Sequence, residues 1–213
     1  MNRAVSLALL LALALGAPAL VAADPIAFKV HSNYSRATFK TDAPLETIVG
    51  NTTAVTGTLT ADPAKPQDSK GTIRVDLTTL KTGIDKRDQD MMAPNFFDVN
   101  ASDANKVAVF EMKSVEVVGP LEPGKAVLSR ISGLLTIKGK PKDVVANGTV
   151  TYFRLTPEQV ESQKRFGFTS DNIKVRATFG TTFADHGMRV PQLLVFKVSN
   201  EISLETDITF VRQ

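Results

Sequence analysis

Two histidines, His31 and His186, are the only imidazoles in this 213-residue chain, and it contains no cysteine. Without a thiol there is no thiolate nucleophile, no thiolate metal ligand and no disulfide. His31 stands at the end of a strand-like stretch, and His186 lies in "FADHGM" beside Asp185. Neither falls into a nucleophile–base arrangement or a metal-ligand spacing, and the polar loop around His186 predicts a solvated side chain. A denser group of charges occupies "DKRDQD", where Asp85, Asp88 and Asp90 alternate with Lys86 and Arg87. A calcium loop needs oxygen ligands at fixed positions, a glycine at the sixth and a glutamate at the twelfth. The segment lacks that order, and its two cations disfavour a metal. Lys86 and Arg87 can instead meet an anion, since a guanidinium matches phosphate oxygens in a forked geometry. The competing role for the Arg87–Asp88 pair, and the one the residues favour, is to tie the segment to a neighbouring strand. Sequons at Asn33, Asn51 and Asn147 match a frequent pattern that says little alone. With no convergent set of titratable groups, the chain is expected to be a non-enzymatic protein that uses no metal and no cofactor.

The elements that position these residues read mainly as strands. In "TIRVDLT" Ile73, Val75 and Leu77 share one face, and "IKVRATF" places Ile173, Val175, Ala177 and Phe179 on one face. "EISLETDITFV" does the same with Ile202, Leu204, Thr206, Ile208 and Phe210. Such period-two alternation marks half-buried strands of an antiparallel sheet. Weaker alternation marks 26–31, 34–40, 54–60, 107–117, 126–137 and 144–153, with Gly- and Pro-containing corners between them. Many such strands must stack as two sheets or close on themselves. The expectation is all-β: one antiparallel barrel of about eight strands, a size that leaves room for side chains or one small ligand. Gly57, Gly133 and Gly148 fall inside strand patterns, where glycine permits curvature or the close approach of another group; the favoured reading is that they mark bulges and corners. Two short helices interrupt the strands. "TPEQ" at 156–159 has the form of a capping box that opens a helix lying over a barrel end. Asp85 is placed to cap a second helix, with Ile84 and Met91 on one face, and Pro94 ends it. Phe96 and Phe97 then turn inward.

Charge and hydropathy bound the remaining classes. Lys+Arg 25 against Asp+Glu 22, interspersed along the strands, lacks the basic stripe that nucleic acid requires. Residues 1–23 carry Arg3, the apolar run "AVSLALLLALALG" and small residues at Val21 and Ala23, the form of a secretory signal peptide cleaved near Ala23. Gly16 and Pro18 break the run, which argues against stable membrane insertion. Residues 24–213 are then expected as one soluble domain in the periplasm.

"TGIDKRDQDMMAPNFFDV", followed by "VAVFEMKSVEV" and "SGLLTIKGKPKDV", resembles the YceI family of exported, lipocalin-like polyisoprenoid-binding proteins. Thr82, Gly83, Arg87, Asp88, Phe96, Phe97, Asp98, Phe110, Gly133, Leu135, Thr136, Ile137 and Gly139 carry the resemblance, in family order over most of 26–213. The chain departs from the pattern at Asp90 and Lys138, where many members carry histidine, and in the stretch "TDAPLETIVGNT". The resemblance implies a lipocalin-like barrel whose lumen binds, stores or transports an isoprenoid, an isoprenoid-quinone-like molecule or another long-chain lipid. On that picture Met91, Met92, Phe96, Phe97, Phe110, Leu135 and Phe179 contact the chain, and Lys86 and Arg87 sit at the mouth near a polar head. Each buried methylene contributes about 0.8 kcal/mol, so capture is easy and release is the harder problem. The alternative is a structural or interaction module of the cell envelope, filled by its own side chains and using loop 184–195 for a partner. The sequence leaves open whether the chain forms a homodimer.

Overall fold

The computed structural model describes residues 24–193 and 196–213. The expected leader, residues 1–23 with its cleavage point at Ala23, lies outside the described residues. In chain order the elements are β1 (Ile26–Val30), β2 (Arg36–Ala43), β3 (Glu46–Thr52), β4 (Val55–Ala61), β5 (Lys70–Asp76) and α1 (Asp85–Met92). Then come β6 (Val107–Val117), β7 (Ala126–Ile137), β8 (Lys140–Arg154), α2 (Pro157–Gln163) and β9 (Asp171–Thr182), followed by the small hairpin of β10 (Gln192–Leu193) and β11 (Phe196–Lys197), and finally β12 (Glu201–Arg212).

All main pairings are antiparallel, and the ladder β1-β4-β5-β6-β7-β8-β9-β12 closes because β12 also pairs with β1. The result is a closed eight-stranded barrel with two short helices. β1 and β2 are the halves of one wall strand, interrupted by a 3-10 turn at Ser32–Tyr34, and β3 and β4 are the halves of the next. Phe28 faces Leu59 in the lower half of this hairpin, and Phe39 faces Gly50 in the upper half. β3 is a strand that the alternation did not predict. Its buried positions are Ile48, Gly50 and Thr52, while apolar Val49 points outward, so its hydropathy runs against its burial. Gly50 is needed there because a Cβ would stand 2.3 Å from the Phe39 ring.

The two ends of the barrel differ. At one end meet the N-terminal strand, the loops after β4 and β6, and the α2 connection. Leu121 donates its amide to the Pro63 carbonyl (2.7 Å), and Gly124 donates to Tyr152 (2.7 Å). This end is packed solid by Phe28, Val55, Val150, Tyr152 and Ile173. A buried carboxylate locks it. Asp171 on β9 accepts from Tyr152 Oη (2.5 Å), Ser170 Oγ (2.8 Å) and Arg212 Nη1 (2.9 Å), joining β8, β9 and β12. Burial alone would raise the Asp171 pKa, but these donors outweigh it and hold the carboxyl below its ordinary value. The α2 capping box forms as expected between Thr156 and Gln159, yet the helix buries none of its residues and so is no plug.

His186 corrects an expectation. Its side chain is fully buried at the other end of the barrel. Nδ1 lies 3.0 Å from the Lys140 carbonyl, which can only accept, so Nδ1 carries the proton and Nε2 accepts from Thr181 Oγ1 at 2.8 Å. Burial pushes its pKa down. His31 is committed as well, through Nε2 to the Phe166 carbonyl (2.7 Å).

Candidate functional site

Inward side chains above the packed floor do not meet across the axis. Phe39, Ile73, Phe110, Val175, Phe179 and Leu204 all point inward, yet each remains only half-buried. What exposes them is a cavity of about 1150 Å³. Its existence follows from residue size. Several inward positions carry small side chains, among them Ala37, Ala108, Ala146 and Ala177, all on the cavity wall. In register with Ala177 stand Gly148 on one side and Thr206 on the other. Three adjacent strands thus contribute almost no side-chain bulk at this level.

The wall near the mouth is unusual because β3 and β5 diverge there, leaving only an isolated bridge between Asn51 and Lys81. Residues 77–99 fill the opening. Leu77, Leu80, Met91, Phe97 and Val99 turn inward into the upper core cluster, which is why a β protein carries a charged helix at this point. Helix α1 begins differently from expectation: its N-cap is Ile84, without a side-chain cap, and Asp85 occupies the first turn. Ile84 is 47% exposed, whereas Asp88 and Met91 are buried. Asp88 accepts from both the Thr82 amide (2.8 Å) and Thr82 Oγ1 (2.7 Å), with Lys81 Nζ at 3.5 Å. Gly83 completes this closed turn with φ of 82°, in the left-handed region that glycine tolerates. Burial would raise the Asp88 pKa, but the two Thr82 donors and Lys81 pull it below the usual aspartate value. The threonine-glycine and Arg-Asp pieces of the motif are therefore one tied loop.

Arg87 does not pair with Asp88; it reaches Glu46 on β3 at 2.5 Å and pins the helix to the wall. Lys86 pairs with Asp90 one turn on, also at 2.5 Å. Both cations line the mouth, each already holding a carboxylate. Arg189 and Lys197, from the segment between β9 and β12, line the same space, and the Arg189 amide donates to the Asn95 carbonyl just after α1 (2.8 Å). Among the described residues neither forms an ion pair. Nothing in the strand alternation pointed to them.

Of the residues expected at a ligand, Met91, Phe96, Phe97, Phe110, Leu135 and Phe179 line the cavity together with Lys86 and Arg87. Met92 does not: it is half-buried against the upper core cluster outside the lining. Phe96 meets the Phe183 ring edge-on at 6.2 Å, and Phe110 meets Phe179 at 6.1 Å, so the aromatics pack as two pairs in the wall. Gly133 permits the second pair, since a Cβ there would lie 2.3 Å from Phe110 Cζ.

A closed antiparallel barrel, solid at one end and hollow with an apolar lining at the other, defines a lipocalin-like architecture. The model of the YceI-like domain matches residues 28–210, and the chain belongs to that family. No curated protein matches it. Among solved structures it is similar to a polyisoprenoid-binding domain from Saccharophagus degradans, at 15% identity and a TM-score of 0.64, over 88% of this chain and 99% of that one. Burkholderia cenocepacia BcnA is similar at 14% identity and 0.62, over 84% and 98%. The Campylobacter jejuni YceI protein is similar at 17% identity and 0.57, over 77% and 84%. At these identities the likeness is one of fold.

Proposed function

We propose that this protein binds one long-chain apolar amphiphile, of the polyisoprenoid or isoprenoid-quinone class, in the barrel lumen and stores or carries it without chemical change. The observation that carries the reading is the space of about 1150 Å³ bounded by inward yet half-buried aromatic and aliphatic side chains. The name of the Saccharophagus degradans neighbour supports the same ligand class. Both histidines are tied up in structural hydrogen bonds, which favours binding over catalysis. Met91, Phe96, Phe97, Phe110, Leu135 and Phe179 contact the chain, and the cations of the mouth face its polar head. The apolar stretch within residues 1–23 supports export to the periplasm, with residues 24–213 as the working domain. No helix among the described residues is long and apolar enough to cross a membrane.

Organic extraction of protein purified from its native host, followed by mass spectrometry, should yield a stoichiometric lipid. Phe97→Asp places a charge in the wall and should reduce that occupancy more than Lys86→Ala, which alters only the exposed mouth. Protein that emerges free of lipid, and whose melting point does not move with added prenyl probes, would refute the reading, because any ligand bound only by the native state must raise it.

A further inference from the structure

The cavity ends on the floor cluster, of which Leu59, Ile208 and Phe210 also line the space. On β9 Val175 lines the space, whereas Ile173, two residues nearer the locked end, is buried in the floor. Met112 on β6 lies at the boundary: it lines the cavity, stays half-buried, and packs against both the floor cluster and the cluster around Val115 and Ile131. It continues the inward alternation of Ala108 and Phe110 on the same strand. The β6–β7 register then slips between Met112 and Ser114, and the bulge makes Val115, not Ser114, the next buried position below it. Opposite Met112 stands Gly133, which adds no side chain of its own. An unbranched thioether with three rotatable bonds, facing open space above and packed residues below, can meet the tip of a flexible guest.

Resting on the reading of the lumen as a prenyl-chain site, we propose that Met112 is its chain-length stop. The terminal isoprene unit of a guest comes to rest against the Met112 side chain, and any units beyond those that fit remain in water outside the mouth. Affinity then rises with each added unit until the tip reaches Met112 and is constant for longer chains. Ala177, one inward position above Val175 on β9 and in the same cluster that Met112 packs against, sets the width of the lower cavity.

The test titrates delipidated full-length protein with a series of all-trans prenyl alcohols of increasing length, from about three to about eleven isoprene units. The readout is the length at which the dissociation constant stops falling. Met112→Ala should move this break point to a longer chain and tighten the longest alcohols by about tenfold, from the newly buried carbons less the ordering they require. Met112→Trp should move it to a shorter chain, and Ala177→Phe shorter still, so that a variant failing to fold leaves the other two decisive. Break points unchanged in the folded variants, with wild-type binding intact, would overturn the stop and leave the lipid reading standing. Wild-type protein that binds no alcohol of any length would overturn the lipid reading and the stop with it.

Discussion

Asp88→Ala removes the acceptor that ties the wall segment at the mouth. The loss can be worked from the two bonds it makes, 2.8 Å from the Thr82 amide and 2.7 Å from Thr82 Oγ1, with only 7% of its side chain exposed. A hydrogen bond to a charged group contributes about 1.5–3 kcal/mol. The two share one oxygen and are not independent, so the expected loss is about 2–4 kcal/mol. For a chain of this size each kcal/mol shifts the melting midpoint by about 2–4 °C, giving a drop of roughly 5–15 °C. Asp88→Asn keeps an oxygen acceptor and should lose less than half as much. Urea unfolding with an unchanged m-value, alongside thermal melts, measures both. The variant should also hold less lipid, since Met91 and Phe97 on the same segment face the lumen. A loss for Asp88→Ala below about 0.5 kcal/mol, the range of ordinary surface changes, would refute the role assigned to this carboxylate.

The Arg87–Glu46 pair is only partly exposed, at 20% and 35% of the two side chains. A double-mutant cycle with Arg87→Ala and Glu46→Ala should therefore give a coupling near the upper part of the surface range, about 1 kcal/mol, and no coupling would mean the helix is held by packing alone. Stability should also depend on pH in two separate windows. His186 has a depressed folded pKa, so its contribution is complete above the ordinary histidine value of about 6.5 and declines as pH falls below it, because the unfolded chain takes up the proton first. Asp171 likewise contributes fully above the ordinary aspartate value of about 3.9, and that contribution is lost as pH falls through its lower folded pKa. Melts as a function of pH for wild type, His186→Gln and Asp171→Asn check this. Each substitution should flatten its own window, and a wild-type profile level between about pH 7.5 and 5 would remove His186 from the account.

The strands with apolar residues on one face were legible in the sequence because their alternation and burial agree: β5, β9 and β12 appear nearly where Ile73, Ile173 and Ile202 placed them. β3 was not, since Gly50 and Thr52 are buried and Val49 faces outward. Packing against Phe39 decides that strand, and a partner 11 residues away in register leaves no mark on local hydropathy. His186 was misread for a related reason. "ADHG" looks like a polar loop, and only the fold brings Thr181 and the Lys140 carbonyl to its two nitrogens. Asp88 is intermediate: its place on the helix could be read, but its partner Thr82 lies before the helix begins. The wall aromatics were legible through motif order. The cavity itself was not, because it is a sum of small residues such as Ala37, Ala146 and Ala177 that come together only when the barrel closes.

A ring of strands offers other chains no unsatisfied amides to extend, except where a strand lacks a neighbour. Here that strand is β3, hydrogen-bonded along β2 on one flank and bridged to Lys81 only at Asn51 on the other. The loop closed by Asp88 and the Arg87–Glu46 contact shield this flank. One short helix therefore both completes the wall beside the mouth and covers the free flank of β3. Removing it would open the wall of the cavity and uncover the free flank of β3 together.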